Sequence, residues 1–98
     1  MHQGVFHSKK FIIERDLPGA GKLTGTELQE ISKTSCNTVN RLNKPYHWLE
    51  TFVTENKLFC VHIAESEEVI REHSIKAGFP LKTIREVTNI IDPTTSSI

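Results

Sequence analysis

Proline, glycine and short polar runs cut this chain into short segments, and the cuts leave little choice of element for each. Leu17-Pro18-Gly19-Ala20-Gly21, Asn43-Lys44-Pro45, Glu55-Asn56-Lys57 and Gly78-Phe79-Pro80 all carry turn or helix-stop chemistry, and Pro93 closes the last segment. Between Lys9 and Asp16, Phe11-Ile12-Ile13 followed by Glu14, Arg15 and Asp16 reads as a short strand. From Thr24 onward Leu28, Ile31, Ser35, Val39 and Leu42 recur at helical spacing, and Thr24 with Glu27 fits a capping box, with Thr26 as a competing cap. Tyr46 to Thr54 and Leu58 to Ala64 are rich in β-formers, and the polar run between them signals a hairpin. A second helix starts near Ser66, carries Glu67 and Glu68 where the helix dipole favours acids, and stops at Gly78. A last strand is expected from about Leu81 to Asp92.

The order β-α-β-β-α-β predicts an α+β, ferredoxin-like fold: an antiparallel four-stranded sheet with both helices on one face. With 98 residues the chain is expected to form one domain over residues 9–93, between a flexible arm at 1–8 and a tail at 94–98. Composition agrees, since 37% hydrophobic and 24% charged residues with a formal charge of zero exclude a disordered polyelectrolyte. The first 49 residues hold 7 basic and 4 acidic groups and the rest 5 and 8, so neither half is a polyphosphate footprint and no nucleic-acid partner is expected. The longest run without Asp, Glu, Lys or Arg is Met1 to Ser8, too short to span a bilayer. No membrane partner is expected, and with two cysteines in no C-x-x-C pattern and no signal-like apolar core, the expected location is cytoplasmic, with reduced thiols.

Helices on one face leave the other face of the sheet open, so the allocation of side chains between faces carries functional content. Period two separates Phe59, Val61 and Ile63 from Leu58, Cys60, His62 and Ala64. The more apolar set is expected beneath the helices. On the preceding strand Leu49, Thr51 and Val53 then face the core, and Trp48, Glu50 and Phe52 the open side. A three-residue hairpin loop sets Glu50 opposite His62 and Phe52 opposite Cys60. A two-residue loop sets Glu50 among Phe59, Val61 and Ile63, where an unpaired carboxylate in a core costs at least the roughly 2–7 kcal/mol of a neutral polar group. The three-residue register is therefore expected.

Several well-known motifs are absent. Gly19-Ala20-Gly21-Lys22 lacks the first glycine and the final Ser or Thr of a phosphate loop, and Lys57 to Ile63 lacks the glycine and second aromatic of an RNA-recognition strand. No metal motif of fixed spacing occurs. In the expected register, however, His47, Glu50, Cys60 and His62 lie on one hairpin, and Glu50 and His62 as cross-strand neighbours are close enough to share a divalent ion. Imidazole, carboxylate and thiol together suit Ni, Zn, Cu or Co better than Mg or Ca. The plainer reading is a Glu–His pair beside a buried thiol. Glu14 on the neighbouring strand is expected on the same face. His73, mid-helix between Val69 and Ala77, reads as a histidine half-buried against the sheet and is a further candidate ligand, whereas Cys36 is expected to pack and His2 and His7 to sit on a mobile arm.

Taken together, Glu14-Arg15-Asp16-Leu17-Pro18-Gly19, Ser35-Cys36, Trp48 with Phe52-Val53-Thr54, Phe59-Cys60-Val61, and Arg71-Glu72-His73 through Gly78-Phe79-Pro80 closely resemble a family of short bacterial proteins known for a nickel-binding, nickel-responsive member. The resemblance runs over about residues 10 to 95. It implies a ferredoxin-like fold, a homodimer, and surface binding of nickel for sequestration or detoxification. In the family pattern a histidine often stands at the position of Glu50 and an aromatic at that of His62.

The leading expectation is thus a small dimeric protein that binds Ni(II) or another divalent transition metal, without catalytic turnover. One rival is a dimeric α/β-barrel enzyme or small-molecule binder with a pocket on the open sheet face, lined by Trp48, Phe52 and His62, with His62 or Glu50 as general base. Another is a partner-binding module with no site of its own. Trp48, Phe52, Leu58 and Glu14 are the residues expected to line such a pocket or a dimer face.

Overall fold

The computed structural model describes residues 8–97, so apart from Ser8 the expected arm, including His2 and His7, lies outside the described residues. The elements are β1 (Lys9–Asp16), α1 (Gly25–Leu42), β2 (Tyr46–Val53), β3 (Lys57–Ala64), α2 (Glu67–Ala77) and β4 (Thr83–Glu86), with short 3₁₀ turns at Ala20–Lys22 and Pro93–Ser97. Four antiparallel strands in the order β2-β3-β1-β4 form the sheet. The helices pack on each other, α1 also on β2 and α2 on β3, which is the ferredoxin-like arrangement.

Helix α1 begins as its capping chemistry requires. Thr24 Oγ1 accepts from the Glu27 backbone N–H at 3.2 Å while Glu27 Oε1 accepts from the Thr24 N–H at 2.9 Å, so Thr24 and not Thr26 is the cap. Helix α2 ends on Gly78, whose φ of 74° is left-handed and suits a residue without a side chain. There the Gly78 N–H donates to Ile75 O and the Phe79 N–H to Ser74 O. This reversal delivers Phe79 and Pro80 to the end of β1.

The face allocation differs from the expectation. Leu58, Cys60, His62 and Ala64 are buried beneath the helices with Phe11, Ile13, Leu42, Tyr46, Val69 and Ile70, and the Phe59, Val61 and Ile63 set lies on the open face. The hairpin register differs as well. Thr54 N–H donates to Lys57 O, closing a two-residue loop that pairs Val53 with Leu58, Phe52 with Phe59, Thr51 with Cys60 and Glu50 with Val61. Glu50 therefore does stand among Phe59, Val61 and Ile63, but that face is solvated and its carboxylate is exposed, so the burial cost that argued against this register does not arise. A bulge at Leu49 then restores Tyr46 to the core and pairs Trp48 with His62. Because β3 is apolar on both sides, period two fixes which residues move together and leaves the choice of side to the packing.

The fourth strand is shorter than the expected Leu81 to Asp92. Its ladder with β1 is extended only by Lys82 N–H to Glu14 O and Val87 N–H to Lys10 O. Beyond Val87 no strand is paired among the described residues, and Ile90 and Ile91 are exposed. Removing the α1 cap with Thr24→Ala is expected to lower stability by about 1 kcal/mol, measured as a shift of the urea midpoint at unchanged slope.

Candidate ligand-binding site

Between α1 and the helix-facing side of the sheet lies a cavity of about 230 Å³. Leu28, Ile31 and Ser35 line it from α1, Trp48, Thr51 and Val53 from β2, Leu58, Cys60 and His62 from β3, Arg15 from β1, and His73 and Phe79 from the α2 end. Strand parity places the polar floor. Arg15 follows Phe11 and Ile13 at period two and is therefore carried inward, where it is 1% exposed. His62 shares the parity of Cys60 and Ala64, and His73 lies on the buried face of α2 with Val69 and Ile70.

The floor is a connected polar cluster. Tyr46 Oη and His62 Nδ1 share a hydrogen bond of 2.5 Å, and Ser35 Oγ lies 3.3 Å from His73 Nε2. The His62 and His73 rings meet edge to face at 5.2 Å, and Tyr46 stacks on His73 at 5.0 Å. Arg15 Nη1 donates to Ser74 Oγ and to Pro80 O, both at 2.9 Å, and the guanidinium lies 5.3 Å from the centre of the Phe79 ring. Its Nε and Nη2 are buried without a partner among the described residues, as is His73 Nδ1.

Electrostatics follow from burial. Desolvation, then the neighbouring His73 and Arg15, hold His62 down to about 3, and desolvation followed by Arg15 holds His73 down to about 4 against the opposing Ser35 contact. Both imidazoles are neutral at pH 7. Burial pushes the Tyr46 hydroxyl well up, so it stays protonated. The guanidinium remains charged. No carboxylate pairs with it among the described residues: the ion pairs there, formed by Glu14, Asp16, Glu30, Glu67, Glu72 and Glu86, all engage other bases. Charge-assisted bonds to Ser74 and Pro80 contribute about 1.5–3 kcal/mol each, while each unbonded buried N–H costs about 1–3 kcal/mol. The free chain thus holds an incompletely compensated cation in its interior.

The residues expected to share an ion are divided between two faces. His62, Cys60, His73, Trp48 and Leu58 surround the inner cavity, whereas His47, Glu50, Phe52 and Glu14 belong to the open face. The expected Glu50–His62 pair is overturned by the register: Glu50 opposes Val61, and Trp48 opposes His62. His47 and Glu50 oppose Ile63 and Val61, two positions apart on one strand, which sets them about 7 Å apart along the open face. Glu14 is held by Lys57 Nζ at 2.5 Å and by the Thr83 hydroxyl at 3.2 Å, and chiefly the Lys57 bond lowers its carboxyl below the usual range. Among the described residues no three His, Cys, Asp or Glu side chains converge on one point. Cys36 is exposed rather than packed. Sequence reasoning overlooked Arg15, Tyr46, Ser35, Ser74 and Phe79; the available signal was an arginine in phase with Phe11 and Ile13 on an interior strand.

Fold and cavity together define a small ferredoxin-like α+β protein with a polar-floored pocket beneath its helices. The family model described as nickel responsive protein SCO4226-like matches residues 11–87, and the chain belongs to that family. A solved structure described as the crystal structure analysis of SCO4226 from Streptomyces coelicolor A3(2) superposes with a TM-score of 0.71 at 16% identity, covering 84% of this chain and 99% of that one. It is a likeness of fold. A comparison with curated proteins gave no match. Among the described residues no helix is long and apolar enough to cross a membrane.

The two neutral histidines make stability depend on pH. Unfolded imidazoles protonate near 6.5, and the folded ones do so only near 3 and 4, so the unfolded chain binds more protons throughout that interval. Stability is complete above about pH 6.5 and declines as pH falls towards 4, by up to about 1.4 kcal/mol per pH unit for each histidine. Urea unfolding at pH 7 and pH 5 is expected to show this loss, and His73→Gln to reduce its slope by about half.

Proposed function

We propose that the protein is a non-catalytic binder of divalent transition metal, nickel first, that acts in the cytoplasm in sequestration or in the response to metal excess. Membership of a nickel-responsive family supports the metal. The position of the site is argued from charge. The inner cavity offers imidazoles and a thiol of the right kind, yet it lies against an unneutralised guanidinium in surroundings that already suppress the protonation of both histidines. A dication there meets the same desolvation and the same repulsion, with no carboxylate to offset them. The donor chemistry fits better at His47 and Glu50, where an imidazole and a carboxylate are exposed side by side.

Two donors from one chain are too few for a closed site, and the surrounding surface supplies the rest of the argument. Ile12 and Phe52 are 42% and 55% exposed on the open face, with Phe59, Val61 and Ile63 partly exposed beside them. Such a surface is suited to a second copy related by a twofold axis. In that arrangement His47 and Glu50 of each protomer lie at or near the contact, and the ion gains donors from both. In this reading Phe52 lies in the dimer face, whereas Trp48 and Leu58 line the inner cavity.

The observation that carries this reading is the adjacency of His47 and Glu50 on an apolar open face. Calorimetry on tag-free protein is expected to show Ni(II) binding that weakens at least tenfold in His47→Ala and in Glu50→Gln and persists in His62→Gln. Wild-type affinity in the His47 variant, or no Ni(II) heat at neutral pH, would falsify it. Light scattering at micromolar concentration is expected to give twice the 11.2 kDa protomer mass, and Phe52→Glu to give the protomer. A wild-type protomer mass removes the shared site.

A further inference from the structure

The inner cavity has a chemistry of its own. Of the three nitrogen atoms of the Arg15 guanidinium, Nη1 is engaged by Ser74 and Pro80, and the two left without a partner are Nε and Nη2. Those two N–H groups form one edge of the planar group. It is the edge on which a carboxylate binds side-on, through two parallel hydrogen bonds. The Nη1 bonds and the Phe79 ring, whose centre lies 5.3 Å from the guanidinium carbon, hold the group in place, and Arg15 is among the residues that line the cavity.

The walls select the rest of the ligand. Above the guanidinium the cavity is bounded mainly by Leu28, Ile31, Trp48, Leu58 and Phe79, which provide apolar and aromatic surface. Among the lining residues Ser32 of α1 and Thr51 and Val53 of the outer strand β2 are partly or fully exposed. A cavity of 150 Å³ accommodates benzene, so about 230 Å³ admits a ligand of roughly ten non-hydrogen atoms.

We propose that this cavity is a binding site for a small organic carboxylate with an aromatic or branched apolar body, the carboxylate seated on the Nε–Nη2 edge of Arg15 and the body between α1 and Trp48. The ligand supplies the negative charge that the interior lacks. Neutral His62 and His73 stand beside the same site as hydrogen-bonding groups, and Cys60 contributes soft apolar surface. Recognition is by charge and plane at one end and by shape at the other, so an uncharged ligand of equal size loses the Arg15 bonds and leaves the guanidinium unpaired.

Trp48 is the sole tryptophan of the chain and lines the cavity, so its fluorescence reports occupancy directly. Titrated into the wild-type protein in EDTA, benzoate is expected to give a saturable change, and benzamide, its uncharged near-isostere, at least tenfold weaker binding. Arg15→Lys retains the charge and loses the side-on edge, and it is expected to weaken benzoate at least tenfold. Should that variant fail to fold, the comparison of benzoate with benzamide on the wild type decides. A linear, unsaturable response to benzoate, equal affinity for benzoate and benzamide, or undiminished binding by a folded Arg15→Lys variant overturns the proposal. Because EDTA removes metal from the assay, this result is independent of the Ni(II) calorimetry on the open face.

Discussion

An arginine side chain buried to 1% exposure with one nitrogen bonded and two unbonded is the demand that the rest of this interior answers. Moving such an ion out of water costs several kcal/mol even after the protein relaxes. Ser74 and Pro80 return part of that through Nη1, and Phe79 returns a little more through its ring face. Each of these partners is brought there by the end of α2, where the left-handed Gly78 turns the chain back towards β1. Burial above all, and the nearby charge after it, keeps the neighbours neutral: His62 and His73 lie too far from water, and too close to the guanidinium, to carry protons at ordinary pH.

The sheet consequently has two sides with opposite characters. Beneath the helices sit a guanidinium, two imidazoles, a phenol, a thiol and two serine hydroxyls, together with a cavity. On the open side Ile12, Phe52, Phe59, Val61 and Ile63 form apolar surface, with His47, Glu50, Glu14 and Lys57 among them. The groups beneath the helices are set within an apolar core of Phe11, Ile13, Leu42, Leu58, Ala64, Val69 and Ile70, while the open side is itself partly apolar. Each side therefore carries a distinct chemistry, the inner one a buried cation beside apolar walls and the outer one exposed donor groups on a partly apolar surface.

Much of the architecture was legible beforehand because local chemistry specifies it. Thr24 with Glu27 started α1, Ser66 with the two following glutamates started α2, and Gly78 stopped it, each through backbone groups within a few residues. The candidate site was only partly legible. His47, Glu50, Cys60, His62 and His73 are chemically capable residues wherever they lie, but their grouping depended on a hairpin register. That register was settled by the Thr54–Lys57 closure and by the bulge at Leu49. One residue of slip would exchange the faces, and the argument that excluded the observed register assumed a buried face where the chain presents a solvated one.

The sequence by itself determined the order of elements, their caps and which residues of each strand move together, because these follow from hydrogen bonds and side-chain periods within a few positions of the chain. Only the tertiary structure decided which side of the sheet the helices cover. On β3 both parities are apolar enough for a core, so hydrophobicity does not choose between them. The choice falls to contacts made across the chain. Small Cys60 and Ala64 lie beneath the helices, Tyr46 and His73 are available to His62, and Ser74 and Pro80 are available to Arg15. Those partners are 59 and 65 positions from Arg15, a separation that no local reading of the sequence spans.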